Sequence, residues 1–100
     1  MTAAKRILVT GASRGIGRGI AIELANAGHN VFITGRSIKT LEKVNTDYQA
    51  QNSTNSSGKI IPIECDHSND QAVENVFKNY FTDGIDVLIH NAYAAVTALM

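Results

Sequence analysis

Ile7-Leu8-Val9 runs straight into Thr10-Gly11-Ala12-Ser13-Arg14-Gly15-Ile16-Gly17, and from Ile16 onward the apolar residues fall at helical spacing, at Ile20, Leu24 and Ala27. A fully apolar triplet flanked by Lys5-Arg6 and Gly11 reads as a strand buried on both faces of a parallel sheet. The glycines between that strand and the helix have separate physical uses. One permits a tight turn, one lets backbone amides approach a pyrophosphate, and one lets the helix pack closely on the sheet. The helix N-terminus adds unpaired N–H groups and partial positive charge. The spacing is T-G-x-x-x-G-x-G; the common G-x-G-x-x-G begun at Gly15 would need glycine where Ile20 stands. A glycine cluster alone also fits a flexible loop, and its position between strand and helix is what favours phosphate binding. The turn therefore supplies the first candidate cofactor contacts: Gly11, Ser13, Arg14, Gly15, Ile16 and Gly17.

The same alternation continues along the chain. Gly28 is placed to close the first helix as a left-handed cap, and Val31-Phe32-Ile33-Thr34 reads as a second buried strand. Ser37 can cap a second helix with the stripe Ile38, Leu41, Val44 and Tyr48. The polar stretch 52–58 reads as an exposed loop, and its sequons at Asn52 and Asn55 as chance products of that composition. Ile60 to Cys65 forms a third strand, in which Pro62 points to an edge position or a bulge. Ser68 and Gln71 form a capping-box pattern before a third helix carrying Val73, Val76, Phe77 and Tyr80, which Gly84 ends; Val87-Leu88-Ile89 is a fourth strand. The order βαβαβαβ implies an α/β, Rossmann-like doubly wound parallel sheet with right-handed crossovers.

The end of the second strand bears on the ligand. In this kind of fold an acid about 20 residues past the glycine turn binds the ribose 2′-hydroxyl of NAD. Here Thr34-Gly35-Arg36 removes the acid and supplies a guanidinium fork suited to a 2′-phosphate, and Arg14, in the glycine turn, could reach the same phosphate. A single solvated arginine carries little meaning; two beside one expected phosphate favour NADP(H) over NAD(H). The charge distribution agrees. Up to Thr40 the basic residues Lys5, Arg6, Arg14, Arg18, Arg36 and Lys39 face only Glu23, whereas the net charge of the chain is zero, which argues against nucleic acid as a partner.

These residues resemble the short-chain dehydrogenase/reductase family over nearly the whole chain. T-G-A-S-R-G-I-G at 10–17 is similar to its glycine motif, and T-G-R at 34–36 resembles its NADP-preferring members. Asp66 matches the acid that in the family contacts the adenine. Asp86-Val87-Leu88-Ile89-His90-Asn91-Ala92-Tyr93 resembles D-V-L-V-N-N-A-G, with Asn91 and Ala92 matching, His90 in place of the first Asn and Tyr93 in place of Gly. The resemblance thus adds Arg36, Asp66, Asn91 and Ala92 to the cofactor contacts. The Asn-Ala-Tyr ending, with Arg18-Gly19-Ile20-Ala21, is similar to the dehydrogenase/reductase family member 1 group.

The resemblance implies carbonyl reduction or alcohol oxidation by hydride transfer on a small-molecule substrate. Its catalytic Ser and Tyr-x-x-x-Lys are expected beyond residue 100: four residues after Tyr48, Tyr80 and Tyr93 stand Asn52, Gly84 and Thr97. Residues 1–100 are accordingly expected to be part of an NAD(P)-binding domain, truncated before the catalytic segment, with no catalytic residue of its own. The alternative is a non-catalytic NADP(H)-binding module or inactive truncated product. The helices that pair subunits in the family also lie further along, so a homo-oligomer is compatible with the whole protein. His29 and His67 lack ligand-like spacing, so no metal site is expected, and His90 reads as a hydrogen-bonded core histidine. Cys65, the single cysteine, is expected to be buried and inert in a reducing compartment. Thr10 and Gly11 interrupt the first apolar run, so no signal peptide is expected, and the location expected is cytoplasmic.

Overall fold

A computed structural model describes residues 4–12, 15–51 and 58–90. Its elements are β1 (Arg6–Thr10), α1 (Gly15–Asn26), β2 (Asn30–Gly35), α2 (Ile38–Gln51), β3 (Lys59–Glu64), α3 (Asp70–Tyr80) and β4 (Val87–Ile89). The strands form one parallel sheet in the order β3-β2-β1-β4. Two crossovers carry the chain outward from β1 to β3, and the third returns it to the other side of β1. That reversal opens a crevice at the carboxyl ends of β1 and β4, the place where open α/β sheets bind ligands.

Side-chain alternation divides the core in two. Ile7, Val9, Val31, Ile33 and Ile60 meet α1 and α2, where Ala21, Ala25, Leu41, Val44 and Tyr48 are buried. Leu8, Ile63 and Cys65 face the opposite way and meet α3 through Val76, together with Phe81. β1 is thus buried on both faces, as its apolar triplet requires, and Pro62 sits in β3, an edge among the described strands. Ser37 caps α2, its Oγ accepting from Thr40 N at 3.4 Å. Gly28 has φ +97° and donates to Ala25 O at 3.0 Å, closing α1.

Four expectations are corrected. The face of α1 against the sheet is Gly17, Ala21 and Ala25, one residue round from the expected stripe; Ile20 and Leu24 flank it, Ala27 is exposed and Ile16 is 79% exposed. Small residues at this spacing let the helix axis approach the strands, and larger neighbours then cover the sides of the contact. The N-cap of α3 is Asn69, not Ser68: Asn69 Oδ1 accepts from Ala72 N at 3.1 Å, while Ser68 donates from both N and Oγ to Asp66 Oδ1. Gln71 lies along the helix and bonds Asn75 instead of the cap. The helix ends at Tyr80, with Phe81 as its C-cap, and Gly84 (φ +88°) belongs to the following turn. Finally, Phe77 and Tyr80, expected on the apolar side of α3, are largely exposed.

At the opposite end of the sheet Arg6 joins β1 to the end of α3. Its guanidinium donates to the Tyr80 carbonyl and lies 5.4 and 5.8 Å from the ring centroids of Phe32 and Phe81, while its backbone N donates to Asp86 Oδ2 at 2.8 Å. His29 serves the same end, accepting from Lys5 N at 3.0 Å.

Candidate functional site

The glycine turn is tied to β2 before α1 begins. Gly11 N and Ala12 N both donate to the Thr34 carbonyl, at 3.0 and 3.4 Å, and Ala12 is buried in the core. Gly11 and Gly15 each take φ +65°, in the left-handed region that side chains disfavour. At Gly15 a Cβ would meet nothing within 4 Å, so the constraint there is conformational. Gly17 is buried, and its constraint is the approach of α1 to the sheet. The first amides of α1 have no intrahelical acceptor and open onto the crevice end of the sheet. Ser13 and Arg14 lie outside the described residues, as do Asn91 and Ala92.

Arg36 and Asp66 are brought together by the register of β2 with β3. Gly35 pairs with Glu64, and Cys65 N donates to Gly35 O at 2.8 Å, so the two residues follow adjacent strand ends, both exposed. The Asp66 carboxyl is held below its usual range, first by the hydrogen bonds from Ser68 and then by the charges of Arg36 and His67. Cys65 is buried, and desolvation with the adjacent Asp66 charge pushes its thiol up, which suits an inert core residue.

Sequence reasoning missed a polar row across the ends of the strands. Thr10 and Thr34 stand opposite each other in the β1–β2 register, and they are only 5% and 0% exposed. Thr34 Oγ1 is 2.7 Å from His67 Nε2, and Thr10 Oγ1 is 3.2 Å from His90 Nδ1. His90 is hydrogen-bonded as expected but exposed, not a core residue. Thr10, His67 and His90 rim a cleft of about 110 Å³ whose walls are Leu8, Val73, Val76, Phe77 and Leu88. The available signal was a threonine closing each of two apolar runs immediately before a glycine.

Among the described residues, no group of three or more His, Cys, Asp and Glu side chains could hold a metal ion, and no helix is long and apolar enough to cross a membrane. What the arrangement offers is a mouth of backbone amides, hydroxyls, imidazoles and one guanidinium above a small apolar cleft.

Such a sheet, with a glycine turn at the end of its central strand, defines a Rossmann-like α/β domain. A family model described as short chain dehydrogenase matches residues 5–98, and the chain belongs to that family of oxidoreductases. It is 43% identical to dehydrogenase/reductase SDR family member 1 of Mus musculus over 93% of this chain, and it spans 29% of that relative's length. Among solved structures it is similar to a metagenomic short-chain oxidoreductase in complex with NADP, with TM-score 0.68 and 32% identity over 84% of this chain and 37% of that one. It is also similar to a short-chain dehydrogenase from Sphingobium yanoikuyae in complex with NADPH, with TM-score 0.74 and 26% identity over 88% of this chain and 34% of that one.

Proposed function

We propose that this chain is the dinucleotide-binding part of an NADP(H)-dependent oxidoreductase that interconverts carbonyls and alcohols. The observation that carries the reading is the neighbourhood of Arg36: it follows β2 with no acid at the ribose position, beside a glycine turn hydrogen-bonded to the same strand end. The complexes of similar proteins with NADP and NADPH support it.

The backbone amides of Gly11 to Gly17 and the N-terminus of α1 would receive the diphosphate, and Gly17 would keep that helix end close to it. Arg36 would pair with the 2′-phosphate, Arg14 assisting, and Asp66 would meet the adenine. Ser13, Ile16, Asn91 and Ala92 complete the proposed contacts. The nicotinamide supplies or accepts the hydride. No tyrosine in this chain precedes a lysine by four residues, so the accompanying proton transfer is assigned outside residues 1–100, in a longer NAD(P)-binding domain of which these residues are part. The same observation sustains the alternative of a binding module without turnover. Titration of the full-length protein with NADPH and NADH, followed by a carbonyl-reduction assay, tests both: tighter NADPH binding with turnover supports the first reading, and tight binding without turnover the second.

A further inference from the structure

Thr34 makes two attachments at once. Its carbonyl accepts both amides of the glycine turn, and its hydroxyl lies 2.7 Å from Nε2 of His67. Thr34 is fully buried and immediately precedes Gly35-Arg36, while His67 immediately follows Asp66. The main-chain ladder between β2 and β3 closes with the bond from Cys65 N to Gly35 O at 2.8 Å. Two residues further on, the link back to β2 is made by the His67 side chain. Asp66 is thereby bracketed by two attachments to the strand end that carries Arg36. We infer that the Thr34–His67 bond is a specificity device: it fixes the spacing between Arg36 and Asp66, so that one adenosine 2′-phosphate engages both residues, and it thereby favours a dinucleotide bearing that phosphate. The inference rests on the dinucleotide reading above and makes Thr34 and His67 positioning residues, acting through Arg36 and Asp66.

The local chemistry suits that role. The turn after β3 is bonded within itself: Ser68 donates from N and Oγ to Asp66 Oδ1, at 3.0 and 2.7 Å, and Asn69 N donates to the Asp66 carbonyl at 2.9 Å. Such a turn moves as a unit, and its attachment to the sheet decides where it sits. A threonine in a strand is a stiff anchor, because its branched side chain has few rotamers. Both bonds from Ser68 fall on Oδ1, which leaves Oδ2 for a donor on the base. Arg36 and Asp66 are close enough for the arginine charge to act on the carboxyl, after the Ser68 bonds that dominate there. Two-point recognition is sensitive to their spacing, since hydrogen bonds weaken beyond about 3.2 Å and a displaced turn keeps one contact while losing the other. NADH lacks the phosphate, uses one of the two points and is less affected.

The test titrates the full-length protein with NADPH and NADH and compares Thr34→Val, His67→Ala, the double variant and His67→Gln. Each single variant should narrow the preference for NADPH over NADH by about three- to tenfold, the effect of one hydrogen bond on binding. The double variant should narrow it no further than the larger single effect, because both substitutions remove the same bond. Glutamine retains a donor and an acceptor at the end of its side chain and should restore most of the preference. NMR of the unmutated protein is the second measurement, independent of how the variants fold: the His67 ring nitrogen should keep its hydrogen-bonded signature with and without adenosine 2′,5′-bisphosphate. A preference unchanged in both single variants, an equal loss for both cofactors, single effects that add in the double variant, or a ring that leaves Thr34 when the nucleotide binds overturns the positioning role and leaves the dinucleotide reading standing. An unmutated protein that binds neither dinucleotide, or shows no preference for NADPH, overturns both.

Discussion

The hydroxyl of Tyr48 in α2 lies 3.0 Å from the carbonyl oxygen of Gly58, and 3.2 Å from that of Ala25 at the end of α1. One side chain thus joins the ends of three elements at the base of the α1/α2 layer. Tyr48→Phe should cost about 0.5–1.5 kcal/mol of stability by denaturant unfolding. Gly58→Ala should cost more, about 1–3 kcal/mol, because its Cβ would stand 1.9 Å from the Ala25 carbonyl oxygen and backbone would have to move.

Arg36→Asp in the full-length protein should reverse the cofactor preference. A charge-assisted pair with the 2′-phosphate is lost, and a carboxylate suited to a free ribose hydroxyl takes its place. NADPH affinity should fall by about ten- to a hundredfold while NADH affinity rises, as read by fluorescence titration. Equal affinities in the unmutated protein would remove the basis for the NADP(H) assignment.

Two glycines of the turn should fail differently. Gly17→Val should abolish dinucleotide binding, because a branched side chain would separate α1 from the sheet and carry the helix end away from the phosphates. Gly15→Ala meets no neighbour and should only cost about 1–2 kcal/mol for the left-handed backbone. Paired melting and NADPH titrations of the two variants separate the effects; normal binding by a folded Gly17→Val protein would make the turn purely structural.

The alternation of period, the glycine turn and the burial of β1 on both faces were legible in the sequence because each rests on local chemistry: apolar runs, helical spacing, conformational freedom at Gly11. Side-chain partners that depend on register were not. One local signal was overlooked: Asp66, two residues before Ser68, forms an Asx turn that takes both Ser68 donors and leaves the cap to Asn69. The buried face of α1 was misread because hydrophobicity favours Ile16, Ile20 and Leu24, whereas close approach to a sheet selects the smallest residues, Gly17, Ala21 and Ala25. The imidazole–threonine row likewise needs the pairing of Thr10 with Thr34 before it can be seen.

Stability without ligand should fall with acidification in two steps. His67 is held below its ordinary value, so the unfolded chain binds protons more readily and stability declines as the pH drops through about 6.5. Asp47, lowered by the bonds from Lys43 and Arg18, and Asp66, lowered by Ser68, contribute stability that is present above about pH 3.9 and lost as the pH falls further. Melting temperatures across pH 2–8 check this; His67→Gln should flatten the upper step and leave the lower.

The 100 residues expressed alone should turn over no carbonyl or alcohol and should be at best marginally stable. Phe77, Tyr80, Val87 and Leu88 are between 37% and 51% exposed along α3 and the β4 edge. Burying one such side chain is worth roughly 1.5–3 kcal/mol, a large part of a small domain's stability, and an apolar edge strand invites association. A sharp melt well above room temperature, or substrate-dependent NADPH oxidation, would contradict these expectations.

The place of β4 beside β1 also sets a timetable. The strand made first acquires its second neighbour only when a strand about eighty residues later has been synthesised, as the Arg6–Asp86 bond illustrates. At roughly 5–20 residues per second, Ile7, Leu8 and Val9 wait several seconds on the ribosome with one flank open. Pairing of β1 with β2 can proceed meanwhile, but β1–β4 closure must await the far end of the segment. Nascent chains stalled short of Val87 should therefore expose a sticky strand edge, and that interval is when a chaperone would have most to protect.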